Sequence, residues 1–141
     1  MNGTPDASRA LAHRWFQKAE NDLLNVQNNL KAGRYPADTV CFHCQQAAEK
    51  YLKGMLAWHE VPLVRTHDLL ELLKQVVHTV GDGAAELSPH LLLLDQYSIA
   101  VRYPQEYEAS LGEEQVQAAV EAAYAVRTWV RRILGLGENE V

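Results

Sequence analysis

The stretch Pro36-Ala37-Asp38-Thr39-Val40-Cys41-Phe42-His43-Cys44-Gln45-Gln46-Ala47-Ala48-Glu49-Lys50-Tyr51-Leu52-Lys53-Gly54-Met55-Leu56-Ala57-Trp58 decides the fold class. Val40, Cys44, Ala47, Tyr51, Met55 and Trp58 recur three or four residues apart, which is the period of a helix with one buried side. Pro36 suits a first helical position, where a fixed φ and a missing N–H do no harm. The helix should end around Glu60, before Pro62.

The same period continues on both sides. From about Ala7 to Lys31 the stripe is Leu11, Trp15, Ala19, Leu23, Val26 and Leu30, with Asp6 or Ser8 as cap and Gly33 as stop. Two helices of roughly 35 Å, at 1.5 Å per residue, joined by so few residues should pack as an antiparallel hairpin. Downstream, Pro62 to His67 reads as a loop. Thr66 is the expected cap of a third helix from about His67 to Thr79, burying Leu69, Leu72, Leu73, Val76 and Val80. Gly81-Asp82-Gly83 then breaks the chain. Ser88-Pro89 opens a short fourth helix to about Ala100, and Arg102-Tyr103-Pro104 ends it, because a residue before proline is driven out of α geometry. A last helix starts near Glu113-Glu114 and places Val116, Ala119, Ala123, Val126, Val130 and Ile133 on its stripe. Arg131 and Arg132 occupy its last turn, where the dipole favours cations, and Gly135 closes it. Nothing alternates with period two. The expectation is an all-α, single-domain, up-and-down bundle of about five helices, with its core from about residue 8 to residue 135.

A chain of 141 residues buries roughly two-thirds of its unfolded surface, so it needs neither metal nor disulfide to fold. The net charge of −5 argues against a dedicated DNA-coating protein, although it leaves room for a local basic cleft. No apolar run approaches the roughly 20 residues that span a bilayer. The first residues lack the basic start and apolar core of a secretory signal, so a cytoplasmic location is expected.

Cys41-Phe42-His43-Cys44 contains a CxxC with an internal histidine. Its place inside a helix, without a second CxxC, favours two small apolar residues over a zinc or redox centre. The six histidines, at 13, 43, 59, 67, 78 and 90, show no metal-ligand spacing, and no metal or cofactor is expected. Two polar clusters remain. Glu49 and Lys53, beside Gln45, Gln46 and Lys50, form an i,i+4 pair that reads as a solvated helix face. Arg65-Thr66-His67-Asp68 and Arg102-Tyr103-Pro104 read as helix start and stop signals. An arginine and a histidine at helix ends can also hold a phosphate or nucleotide.

Trp15 with Ala19 and Asp22-Leu23, then Gln45-Gln46-Ala47-Ala48-Glu49-Lys50-Tyr51-Leu52-Lys53, then Arg65-Thr66-His67-Asp68-Leu69, then Arg102-Tyr103-Pro104 together resemble the HEPN domain family, from about Ala12 to Leu134. The resemblance implies a helical bundle that dimerises and is often paired with a minimal nucleotidyltransferase, in some cases as a toxin–antitoxin system. For many members it also implies a metal-independent ribonuclease, built on an arginine followed four to six residues later by a histidine. Here Arg102 is followed by Tyr103, Pro104, Gln105, Glu106, Tyr107, Glu108 and Ala109, with no histidine. The preferred reading is therefore a non-catalytic homodimer that binds a nucleotide or RNA, or a nucleotidyltransferase partner. In it Arg102, with Tyr103 beside it, contacts phosphate, Arg65 and His67 line the same cleft, and Lys50 and Lys53 add positive field. The alternative is a divergent ribonuclease that handles the proton of the attacking hydroxyl with His67 or Tyr107 beside Arg102.

Overall fold

The structure is a computed structural model and describes residues 5–63, 65–98 and 111–137. Among these residues the chain forms five α-helices: α1 (Pro5–Ala32), α2 (Ala37–Trp58), α3 (Leu69–Val80), α4 (Ser88–Asp95) and α5 (Glu113–Leu134). Short 3₁₀ turns cover Asp82–Leu87 and Gln96–Ser98. The all-α bundle expected from the periodicity is the fold that forms.

The decisive stretch becomes the central helix. α1, α3 and α5 all pack on α2, and Tyr51 through Ala57 are buried without a break. Its expected stripe lies inside, from Val40 to Met55, with Trp58 half-buried. On α1 the buried line is Ala12, Phe16, Ala19, Leu23 and Val26, while Leu11 stays 42% exposed. Both registers have a helical period. The one carrying Phe16 wins because its ring stacks on Tyr51 of α2, with centroids 5.6 Å apart. Gly54 faces the same ring, and a Cβ placed there would lie 2.7 Å from Phe16 Cδ1.

Helix ends differ from expectation where a stronger cap was available. Pro36 is the residue before α2, and its carbonyl accepts the Val40 N–H at 3.1 Å. α3 starts at Leu69 rather than near His67, because Asp68 is its cap. The Asp68 carboxylate accepts the N–H groups of Leu70 and Glu71 at 2.9 and 3.3 Å, while Thr66 Oγ1 accepts the Asp68 N–H at 3.1 Å. A carboxylate beats a hydroxyl here because it also meets the positive end of the helix dipole. α4 stops at Asp95 instead of near Ala100, and the chain tightens into the turn Gln96–Ser98. α5 begins and ends as expected, with Gly135 left-handed at φ 70°. Ile133 is exposed, whereas Arg131 is buried and its Nη2 donates to the Gly137 carbonyl. α5 runs antiparallel to α1, tied by Arg127 Nε to Glu20 Oε2 at 2.8 Å and by Gln27 Nε2 donating to Tyr124 Oη at 3.0 Å. Among the described residues no helix is long and apolar enough to cross a membrane.

Alanine favours a helix over glycine by about 1 kcal/mol. Gly54→Ala should nevertheless lower stability by about 1–3 kcal/mol, since Phe16 must leave its place. Urea unfolding followed by far-ultraviolet circular dichroism measures the difference, and a more stable variant would mean that α1 can back away from α2 without loss.

Candidate functional site

The polar residues of α2 do not form the solvated face that their i,i+4 spacing suggested. Gln45 is fully buried, and Glu49 and Lys53 are only 3% and 9% exposed. The reason is position: α2 is enclosed by its neighbours, so a polar line along it must be satisfied from within. Lys53 Nζ and His67 Nδ1 both lie 3.0 Å from Glu49 Oε2. Gln45 Nε2 lies 3.5 Å from both Glu49 Oε1 and the His67 carbonyl, and Gln46 Nε2 donates to Gln45 Oε1 at 2.7 Å. The Lys53 ammonium also sits 5.4 Å from the centre of the Trp15 ring, within cation–π range.

This network draws the loop before α3 onto the hairpin. Trp15, Lys53, Leu63, Arg65, Thr66 and His67 line an open pocket of about 210 Å³. Three residues singled out from sequence, Lys53, Arg65 and His67, therefore meet. His67 is held at Nδ1 by Glu49 while its side chain remains 80% exposed, so the rest of the ring faces solvent. Trp15 was placed only on a core stripe. Its role as a pocket wall was missed, because periodicity does not say which of two overlapping stripes turns inward. Arg102, Tyr103 and Tyr107 lie outside the described residues.

Lys50 is not with Lys53. It pairs with Asp22 of α1, Nζ to Oδ2, at 2.6 Å, and the other oxygen of Asp22 meets His43 Nδ1 at 2.8 Å. His43 and Lys50 stand two turns apart on α2 and straddle that buried carboxylate. Its signal in the sequence was an aspartate in mid-helix beside Leu23, a residue type that is rarely buried without a partner.

The two cysteines are inert in this setting. Burial pushes the Cys41 thiol up to about 11 and the Cys44 thiol up to about 12. Burial also raises the Tyr97 hydroxyl, hydrogen-bonded to Cys41, to about 12. Among the described residues no group of three or more His, Cys, Asp or Glu is arranged to hold a metal ion.

The HEPN domain model matches residues 12–133, and the chain belongs to that family. Among solved structures it is similar to TT1696 from Thermus thermophilus, at 28% identity and a TM-score of 0.74, over 86% of this chain and 96% of that one. It is also similar to ST0689, an archaeal HEPN homologue, at 26% identity and a TM-score of 0.68, over 87% of this chain and 97% of that one. No curated protein matches the sequence significantly.

Two outcomes follow from this chemistry. Glu49→Ala leaves the Lys53 ammonium buried without its carboxylate and should lose about 3 kcal/mol, whereas Glu49→Leu combined with Lys53→Met should recover most of that loss. Chemical denaturation of the three proteins decides it, and a single variant as stable as wild type would contradict the buried pairing. At pH 8 both cysteines stay protonated, so iodoacetamide should spare them in the folded protein and label both in urea. Peptide mass spectrometry reads the result, and rapid labelling of the folded chain would be the contrary finding.

Proposed function

We propose that this HEPN protein is a non-catalytic, dimerising binder of a nucleotide, or of a nucleotidyltransferase partner, in the manner of a toxin–antitoxin pair. The observation that carries the reading is the pocket in which Trp15, Arg65 and His67 converge beside α3. Arg65 is exposed and makes no ion pair among the described residues, so its planar fork is available to a phosphate. The half-buried Trp15 indole supplies an apolar wall for a base. Lys53 and Lys50 are committed to Glu49 and Asp22, which leaves binding to Arg65 and His67. Arg102 and Tyr103 enter the proposal through the sequence alone, Arg102 as the arginine of the family signature.

Calorimetry with ATP provides the test. Arg65→Ala and Arg102→Ala should each weaken binding by about tenfold or more, the worth of a charge-assisted hydrogen bond. Equal affinity in wild type and both variants would remove the assignment. Incubation with RNA in EDTA should give no cleavage, and sedimentation should show a dimer. Cleavage lost in both Arg102→Ala and His67→Ala would instead favour the divergent ribonuclease built on Arg102 with His67 or Tyr107.

A further inference from the structure

We propose that His43 is a phosphoryl-acceptor site, with Nε2 as the nucleophile and Asp22 as the group that positions the ring. The site shares no residue with the pocket of Trp15, Arg65 and His67, so it stands or falls independently of nucleotide binding.

The geometry carries the assignment. With Nδ1 at 2.8 Å from Asp22 Oδ1, the neutral imidazole donates its N–H to the carboxylate and keeps its lone pair on Nε2. The His43 side chain is 24% exposed, and no hydrogen bond engages its Nε2 among the described residues. Charge balance does not account for this arrangement, since Lys50 alone neutralises Asp22 at 2.6 Å. The Phe42 and His43 rings meet edge to face, with centroids 5.8 Å apart. Both His43 and Lys50 project from the central helix, which is the kind of rigid support that a reactive group requires.

The step balances with a donor whose phosphoryl group is labile, such as a phosphoramidate or an acyl phosphate. The Nε2 lone pair forms the new N–P bond as the donor's P–N or P–O bond breaks, and the leaving ammonia or carboxylate keeps that electron pair. The ring, still protonated at Nδ1, becomes cationic, and the adjacent Asp22 carboxylate offsets the new charge.

Phosphoramidate is the probe, with peptide mapping under alkaline conditions and ³¹P spectra as readouts. The exposed His59, His67 and His78 of the same chain are internal controls. In wild type, His43 should be labelled about tenfold faster than any of the three, despite being less exposed. His43→Gln should abolish that label alone. Asp22→Asn should slow labelling at His43 by about tenfold while leaving His59 and His78 unchanged, with far-ultraviolet circular dichroism checking that the fold persists. Labelling that simply follows exposure in wild type would overturn the proposal, as would an Asp22→Asn variant labelled at His43 at the wild-type rate.

Discussion

A carboxylate on α2, a helix enclosed by its neighbours, sets the terms for the rest of the molecule. Glu49 is buried in α2, where neither solvent nor an apolar neighbour can stabilise its charge. Lys53, one turn along the same helix, supplies the counter-charge, and Gln45, one turn back, supplies an amide. The third partner, His67, comes from outside the helix. Meeting it requires the loop after α2 to fold back over the hairpin. Asp68 follows immediately and caps α3, so the demand of one buried carboxylate also fixes where the next helix starts.

Apolar, local burial is what this sequence makes most legible. The stripes of α2, α3 and α5 were visible because period and composition agree over many turns. The α1 stripe was offset, since Leu11 and Trp15 compete with Ala12 and Phe16, and only contact with Tyr51 and Gly54 decides between them. The polar face of α2 is ambiguous in the sequence for a related reason. A Glu–Lys pair four residues apart has the same spacing whether water or protein surrounds it. Asp22 between His43 and Lys50, a link across more than twenty positions, leaves no periodic trace at all.

These networks divide the cations of the hairpin into committed and available. Lys50 and Lys53 were expected to offer a positive field, yet each sits against a buried carboxylate and contributes little net charge to a ligand. Arg65, on the loop, has no such obligation among the described residues. Membership of the HEPN family accounts for the bundle, while the particular chemistry of this chain depends on which basic groups remain uncompensated.

The tie between α1 and α5 carries a consequence for the order of assembly. Glu20 and Arg127 are 107 positions apart, whereas Asp22 and His43 are separated by 21. Closing the longer loop loses more chain entropy before any contact repays it. The hairpin is thus the natural nucleus, and α5 arrives late to cover a surface that α1 and α2 have already shaped. During synthesis from the N-terminus, that surface waits uncovered for the last helix.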